Sequence, residues 1–267
     1  MRGDDEGGAP SGVSPAIEAW QIGKTFPAAS GGVAEIIRSV SFTLRRGEIV
    51  SIVGPSGCGK TTLLNMVCGL LPLSRGGVRW HGRELDGVPP RAGYMLQKDL
   101  LFPWRTAFEN AALGLQIKGI GRADRRDRVM ALLERLGLAG FAAYYPSALS
   151  GGMRQRVALA RTFASDPDVL LLDEPFSALD FQTKILIERD TARLVRGSGR
   201  SLLLITHDIE EAVTLSDRVI VLSHRPCTVI AEHAIVLNGD RTDMMAARES
   251  PEFVHHVRTI WNELDIH

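Results

Sequence analysis

Short apolar runs alternate with helical patterns over most of the chain. Four of these runs are almost wholly apolar over the length of a strand, as is typical of strands buried on both faces of a parallel sheet: residues 49–53, 169–172, 201–206 and 219–222. Parallel strands need long crossover connections, and the stretches between the later runs have helical patterns. The alternation therefore predicts an α/β fold in which helices cover a parallel sheet.

The pattern changes in the middle of the chain. Residues 108–116 and 122–136 carry apolar side chains at helical spacing, for example Val129 and Leu132, with arginines on the opposite face. A third helix is predicted to begin near Ser150. Together these segments predict a helical insert that interrupts the α/β core.

The two ends of the chain carry weaker patterns. Residues 17–22 mix apolar and polar positions like an edge strand, and residues 40–44 alternate between the two. The Ala/Ser/Gly-rich residues 28–32 predict a turn. Residues 1–15 are expected to be a flexible tail, and a short helix is predicted at 251–264 near the C-terminus.

Composition excludes several classes of protein. The 267 residues carry 31 Lys+Arg and 31 Asp+Glu, a formal net charge of zero, so no nucleic-acid partner is expected. Cys58, Cys68 and Cys227 form no CxxC pair, which favours a reducing compartment over a disulfide scaffold. No apolar run approaches the roughly 18 to 20 residues that span a bilayer, so a soluble intracellular protein is expected.

A glycine-rich loop follows the first buried strand. Residues 54–61, GPSGCGKT, fit the pattern GxxxxGK[ST] and lead into a helical pattern. The glycines let backbone N–H groups turn inward around phosphates, and the helix N-terminus favours anions. The side chain of Lys60 is expected to reach the β- and γ-phosphates, and the Thr61 hydroxyl to coordinate Mg²⁺. The predicted nucleotide-binding residues are Gly54, Pro55, Ser56, Gly57, Cys58, Gly59, Lys60, Thr61 and Thr62.

Polar residues at the ends of neighbouring strands are expected to converge on this loop. Asp173 is predicted to hold the magnesium ion directly or through water, and Glu174 to orient or deprotonate an attacking water. Taken alone, these two carboxylates are also compatible with a solvated acidic turn. His207 follows the next strand and is expected to contact the γ-phosphate, because ligands of open α/β sheets bind at this edge. Gln97, after the strand-like residues 92–96, is a candidate contact for the metal or the water.

A second anion-binding segment lies at the start of the third predicted helix. Ser150 is expected to cap that helix, and Gly151 and Gly152 allow backbone N–H groups to approach a ligand closely. One nucleotide does not need two such loops from one subunit. We therefore expect the nucleotide of a second subunit to bind there.

The set of motifs resembles the ATP-binding subunit of an ABC transporter. The resemblance covers about residues 17 to 230 and rests on the order and spacing of its elements: GPSGCGKTT at 54–62, Gln97, LSGGMRQRVALAR at 149–161, VLLLDEPFSALD at 169–180 and TH at 206–207. It implies a P-loop NTPase (RecA-like) core with an N-terminal antiparallel β subdomain and an inserted α-helical subdomain. The core would comprise residues 16–97 and 164–231, the helical subdomain 98–163, and a C-terminal extension 232–267.

The resemblance also implies how the chain works. Two ATP molecules would lie in a head-to-tail homodimer or pseudo-dimer, each between the phosphate loop of one subunit and Ser150, Gly151 and Gly152 of the other. Asp180 would link the two sites, and Phe26 would stack on adenine, with Trp20 as the rival residue. Integral membrane permease subunits would bind the helical subdomain, placing the chain peripherally on the cytoplasmic face of the membrane.

Finer features resemble a subgroup of these ATPases. DLLFPW at 99–104 and SHRP at 223–226 are similar to ATPases of nitrate, taurine and alkanesulfonate importers, which receive solute from an extracytoplasmic binding protein. The extension departs from the subgroup at 236–240. Two alternatives stay open: a soluble ABC-type ATPase that is not coupled to transport, and an importer of a thiamine-precursor pyrimidine.

Overall fold

The structure is a computed structural model that describes residues 14–28, 31–238 and 244–265. Most of the predicted flexible tail, residues 29 and 30 of the predicted turn, and part of the C-terminal extension therefore lie outside the described residues.

The strands of the described part of the chain form one mixed sheet. They are β1 (Ile17–Pro27), β2 (Val33–Leu44), β3 (Ile49–Val53), β4 (Arg75–Trp80), β5 (Arg83–Glu84), β6 (Ala92–Met95), β7 (Val169–Asp173), β8 (Ser201–Ile205), β9 (Arg218–Leu222) and β10 (Cys227–Ala234). Their order across the sheet is β5-β4-β1-β2-β10-β9-β3-β8-β7-β6.

The helices fall between these strands and after them. They are α1 (Lys60–Val67), α2 (Ala107–Ala111), α3 (Leu113–Ile117), α4 (Arg122–Arg135), α5 (Gly151–Ala164), α6 (Phe181–Gly197), α7 (Ile209–Leu215), α8 (Met244–Glu249) and α9 (Pro251–Asp265). Short 3₁₀ helices occur at Ala139–Phe141 and Pro146–Ala148. Among the described helices, none is long and apolar enough to cross a membrane.

The sheet has a parallel half and an antiparallel half. Strands β6, β7, β8, β3 and β9 pair in parallel, whereas β1 pairs antiparallel with β2 and β4. β1 is longer than the predicted strand at 17–22, because its pairing with β2 continues to Pro27 opposite Val33. The predicted fold class is confirmed: a P-loop NTPase core carries an antiparallel β subdomain and a helical insert.

The buried strands pack against one hydrophobic core on each face of the sheet. Leu170 and Leu172 of β7 pack on one face of the sheet with α5 and α6, while Val169 and Leu171 pack on the other face with α1. Successive side chains of a strand point to opposite faces, so a strand buried on both faces must be apolar throughout. This is why the short apolar runs predicted the parallel half of the sheet.

The predicted helix at 108–116 is two short helices. The chain leaves helical geometry at Ala112, where ψ is −8°, and α3 follows at once with Gly114 in its first turn. Glycine disfavours a continuous helix, and the side-chain amide of Asn110 holds α2 by donating to three carbonyls, including those of Phe102 and Arg105. These bonds tie α2 to the segment that precedes it.

Candidate functional site

The glycine-rich loop joins β3 to α1 and turns its backbone around an open cavity. Gly57 and Gly59 have φ angles of 76° and 120°, which L-residues rarely adopt. A Cβ at Gly59 would also lie 3.1 Å from Cγ2 of Ile36, so a side chain there would press on the β2 strand. Lys60 begins α1 and donates from Nζ to the carbonyls of Gly54, at 2.8 Å, and Pro55, at 3.0 Å.

The cavity beside this loop has a volume of about 330 Å³. Its wall consists of loop and first-turn residues between Ser56 and Thr62, together with Gln97, Asp173, Glu174 and Arg225. The fold therefore brings Gln97 and both predicted carboxylates to the phosphate loop. Phe26 and His207 do not line this cavity.

Asp173 is the last residue of β7 and is hydrogen-bonded to the first turn of α1. Its Oδ2 accepts a hydrogen bond of 2.7 Å from the Thr61 hydroxyl. Burial raises the pKa of the Asp173 carboxyl, the Thr61 hydrogen bond opposes that shift, and the neighbouring Glu174 adds to it. Two of the three residues predicted to hold magnesium, Thr61 and Asp173, thus present their oxygen atoms side by side.

Glu174 is held in an unusual backbone conformation at the start of the next loop. Its φ is 49°, and its N–H donates to the Ile205 carbonyl of β8 at 2.8 Å. The carboxylate accepts a 3.0 Å hydrogen bond from the Gln97 amide at Oε2, and Nδ1 of His207 lies 3.2 Å from Oε1. A positive φ at a residue with a side chain is strained and marks a site where the surrounding structure fixes the geometry.

Ser150, Gly151 and Gly152 lie apart from the cavity. The Ser150 hydroxyl caps α5 by accepting from the Met153 N–H at 3.2 Å, and Ser150 and Gly151 are exposed. A Cβ at Gly152 would lie 3.1 Å from the Ala178 carbonyl, so the helix start packs on the loop that follows Glu174.

Asp180 begins α6 at the end of that loop. Its carboxylate is exposed and accepts from the Thr183 N–H at 3.0 Å. The hydrogen bonds from Thr183 lower the pKa of Asp180. The side chain is therefore an accessible anion.

The two candidate aromatic residues occupy different environments on β1. Trp20 packs its ring against Gly77, with the guanidinium of Arg79 4.7 Å from the ring centroid. Phe26 is half-buried near the end of the strand, and the Lys24 ammonium lies 5.1 Å from its ring centroid. Both side chains are partly exposed, so the packing of Trp20 on Gly77 is what distinguishes them, and the stacking of Phe26 on adenine stays a prediction.

Two residues at the site were not predicted from the sequence motifs. Gln155 is buried on α5 and reaches the Glu174 loop. It belongs to the segment LSGGMRQR, but no role was predicted for it. Arg225 lies in the turn between β9 and β10 and lines the phosphate-loop cavity. Among the described residues its side chain makes no ion pair. SHRP at 223–226 drew attention only as a subgroup feature, since nothing in the sequence places that turn beside the loop.

Comparisons with known proteins give a consistent result. A family model described as "ABC transporter" matches residues 37–177. The chain is 43% identical over 229 residues to "Uncharacterized ABC transporter ATP-binding protein YtlC" of Bacillus subtilis, covering 86% of this chain and 88% of that protein. It is 39% identical over 234 residues to "Taurine import ATP-binding protein TauB" of Jannaschia sp. (strain CCS1), covering 87% of each.

Solved structures with the same fold include dimers. "Dimeric Structure of MJ0796, a Bacterial ABC Transporter Cassette" superposes with a TM-score of 0.77 at 31% identity, covering 82% of this chain and 99% of that one. A post-hydrolysis state of the same cassette, bound to ADP and Pi, gives a TM-score of 0.76.

Proposed function

The chain belongs to the ABC transporter family as an ATP-binding subunit with ATPase activity coupled to transport, and we propose that it drives import of small anionic solutes. In this proposal two copies close head to tail over two ATP molecules. The observation that carries the proposal is the convergence of Asp173, Glu174 and Gln97 on the cavity beside the phosphate loop.

ATP binding follows from the charge of the loop. The N–H groups of the loop and the N-terminus of α1 favour an anion, and Lys60 supplies a positive charge at the same place. Lys60 now donates to the Gly54 and Pro55 carbonyls, and it would exchange these bonds for phosphate oxygens. Arg225 adds a second cation to the cavity wall.

The donor set at the end of β7 fits Mg²⁺. Magnesium prefers oxygen ligands, and the Thr61 hydroxyl and the Asp173 carboxylate lie 2.7 Å apart beside the cavity, with the Gln97 amide on the same wall. These three residues would hold the ion, which neutralises phosphate charge when bound. Burial of Asp173 favours its neutral form, so a bound cation would stabilise its ionised form.

Hydrolysis requires a base opposite the γ-phosphate. We assign this role to Glu174: its carboxylate takes a proton as water attacks the γ-phosphorus, and the bond from that phosphorus to the bridging oxygen of ADP breaks. Gln97 and His207 each contact one carboxylate oxygen, which fixes the direction of the group. Positioning and electrostatic stabilisation supply most of the catalysis of phosphoryl transfer.

A second copy would complete each site. Ser150 and Gly151 are exposed at the start of α5 and line no part of their own cavity. Their helix N-terminus would bind the phosphates of the partner's ATP, and Asp180 would contact the partner across the interface. Release of phosphate removes the shared anion, and the dimer opens.

The permease is expected to bind a groove of about 760 Å³ in the helical insert. Its wall combines the exposed Trp104 and the partly buried Phe108 with Arg122, Arg125 and Arg126. This composition suits an amphipathic helix that carries acidic side chains. The subunit would thus lie on the cytoplasmic face of the membrane, with an extracytoplasmic binding protein acting on the permease.

Support for solutes that carry an anionic group comes from the relatives named for taurine import, because taurine carries a sulfonate. Uptake of labelled taurine, nitrate and a thiamine-precursor pyrimidine, in cells with and without the intact gene, would test the solute class. Loss of uptake of only the pyrimidine would reject anionic solutes.

Light scattering of Glu174→Gln with ATP and Mg²⁺ would test dimer closure. We expect a dimer with ATP and a monomer with ADP. A variant that stays monomeric with ATP, in the presence of its permease, would reject closure.

A further inference from the structure

A short helix near the C-terminus packs against the helix that begins beside His207. This helix, α8, lies in the predicted C-terminal extension, for which the sequence motifs gave no role. It contacts α7, and its Ala247 is buried in the same core as Ile209 and Ala212 of α7. Part of the predicted extension is therefore in direct contact with an element of the candidate site.

Arg248 of α8 joins α6 to α7. Its Nη2 donates to Oε2 of Glu188 on α6 at 3.0 Å, and its Nε donates to the Thr214 hydroxyl of α7 at 3.4 Å. The side chain of Glu188 is 0% exposed and that of Arg248 is 12% exposed. Arg248 therefore places a positive charge beside a fully buried carboxylate.

Lys184 forms a second link between α6 and α7, closer to His207. Its Nζ donates to Oδ2 of Asp208 at 2.7 Å and lies 3.0 Å from Oε2 of Glu211. The same Nζ lies 3.8 Å from Oε1 of Glu188, an oxygen that has no hydrogen-bond partner among the described residues. Lys184 thus compensates the two carboxylates at the start of α7, while Arg248 compensates Glu188.

The Asp208 carboxylate fixes the start of α7, directly after His207. Its Oδ1 accepts from the Glu211 N–H at 3.1 Å and so caps the helix. Nδ1 of His207 lies 3.2 Å from Oε1 of Glu174. Glu174, His207 and Lys184 also line one cavity of about 100 Å³. The ion pairs between α6 and α7 therefore adjoin the proposed base and its histidine contact.

We propose that α8 positions His207 for ATP hydrolysis through the charge of Arg248. Without that charge, Lys184 would be the one cation of this group left near Glu188. A buried carboxylate without a close partner is strongly unfavourable, so Lys184 would move towards Glu188. Its hydrogen bond to Asp208 would lengthen as a result.

The effect on hydrolysis rests on the proposed role of Glu174 as the base. A weaker bond from Lys184 frees the capping residue of α7, and His207 is its immediate neighbour in the chain. Glu174 would then lose one of the two contacts that direct its carboxylate, while residues 54–61 of the phosphate loop stay in place. A displacement of about 1 Å can cost about 100-fold in rate. The kcat should therefore fall without a matching loss of ATP binding.

The experiment measures kcat, KM for ATP and thermal unfolding of the full chain at about pH 8.5, which favours the ionised form of Glu188. Arg248→Gln should lower kcat at least about tenfold, while its KM for ATP stays near the wild-type value. Arg258→Gln, the same substitution at an exposed position on α9, is the matched control and should be normal. A wild-type kcat in folded Arg248→Gln, or an equal fall in both variants, would overturn the proposal.

Two double variants separate positioning from a general loss of stability. Glu188→Gln removes the carboxylate that competes for Lys184, so Arg248→Gln combined with Glu188→Gln should regain most of the wild-type kcat. His207→Ala should itself be slow, and adding Arg248→Gln to it should lower kcat no further, because Arg248 acts through His207. Absence of rescue by Glu188→Gln, or a further loss in the His207→Ala protein, would overturn the proposal.

Two further results keep the test decisive. If Arg248→Gln does not fold, Arg248→Lys replaces it. A lysine ammonium cannot reproduce both guanidinium bonds, so kcat should still fall at least about threefold, and a wild-type kcat would overturn the proposal. A wild-type rate in Glu174→Gln would reject the proposed base itself, whereas slow Glu174→Gln and His207→Ala beside a normal Arg248→Gln would reject only the role of α8.

Discussion

The side-chain amide of Gln155 on α5 donates a 3.0 Å hydrogen bond to the main-chain carbonyl of Glu174. Its oxygen accepts from the Ala178 N–H at 2.9 Å. One buried side chain therefore spans the loop between Glu174, the proposed base, and the segment that leads to Asp180. Since α5 begins at Ser150, the same helix carries the surface expected to bind the partner's nucleotide. Movement of that helix must alter the position of Glu174.

Replacement of Gln155 should test this link. Gln155→Ala leaves a carbonyl and an N–H without their partner, and we expect a loss of about 1–3 kcal/mol in the free energy of unfolding. Gln155→Glu keeps an acceptor for Ala178 but no donor for Glu174. A buried carboxylate that faces this carbonyl costs more than a lost hydrogen bond, so the variant should fold no better than Gln155→Ala, and its kcat should fall while its KM for ATP stays near the wild-type value. Thermal unfolding and steady-state phosphate release would measure both effects. A normal kcat for both folded variants would contradict a positioning role.

Glu174→Gln should bind ATP but hydrolyse it about 10²- to 10⁴-fold more slowly, because the amide cannot take a proton from water. Phosphate release and ATP titration would measure the two properties separately. Glu210→Gln, the same substitution at an exposed position on α7, is the matched control and should be close to normal. Near-normal phosphate release by Glu174→Gln would show that another group activates the water.

The sequence predicted the parallel half of the sheet because those strands are apolar on both faces. It also predicted the fold class through the spacing of the motifs. The full length of β1 was not predictable, since its second half is defined by pairing with β2 rather than by its own pattern. The break at Ala112 accompanies side-chain bonds from Asn110 to carbonyls of the segment just before α2, which helical periodicity does not encode.

The candidate site was predictable where residue type and position along the chain define the chemistry. Asp173 and Glu174 come at the end of an apolar strand, and the structure brings them to the phosphate loop. Arg225 reaches the loop only through the hairpin of β9 and β10, so its place at the cavity depends on the antiparallel return of the chain. The site roles of Phe26, Ser150 and Asp180 stay predictions.

Removal of Arg225 should weaken ATP binding without altering the fold. A guanidinium hydrogen-bonded to phosphate contributes about 1.5–3 kcal/mol, so Arg225→Ala should raise the Kd for ATP about tenfold or more. Arg225→Lys keeps the positive charge but lacks the planar set of guanidinium N–H donors, so it should recover part of the affinity for ATP. Arg83→Ala, at an exposed position on β5, is the matched control. Equal Kd values for the Arg225 and Arg83 variants would remove Arg225 from the nucleotide site.

A buried cluster next to His207 should make stability depend on pH. Nζ of Lys184 on α6 lies 2.7 Å from Oδ2 of Asp208 and 3.0 Å from Oε2 of Glu211. Glu188 lies beside them, and its Oε2 accepts a hydrogen bond from Arg248. Burial raises the pKa of Glu211 from 4.5 to about 7, against the opposing effect of Lys184 and with a further rise from Glu188. The pKa of Glu188 is raised to about 7 as well, again chiefly by burial.

The sign of the effect follows from these directions. The folded protein holds the Glu211 proton more tightly than the unfolded chain, so its contribution to stability is fully present below pH 4.5 and is lost as the pH rises to about 7. The Glu211→Gln variant carries an amide at this position, which does not titrate. The free energy of unfolding of the wild type should therefore fall relative to this variant between pH 4.5 and 7, by on the order of 3 kcal/mol, and then level off. Urea unfolding of both proteins from pH 5 to 8 would measure the difference. Glu210→Gln, one residue away and exposed, is the control and should show no such trend. If the difference in unfolding free energy between wild type and Glu211→Gln is independent of pH, Glu211 is ionised throughout this range.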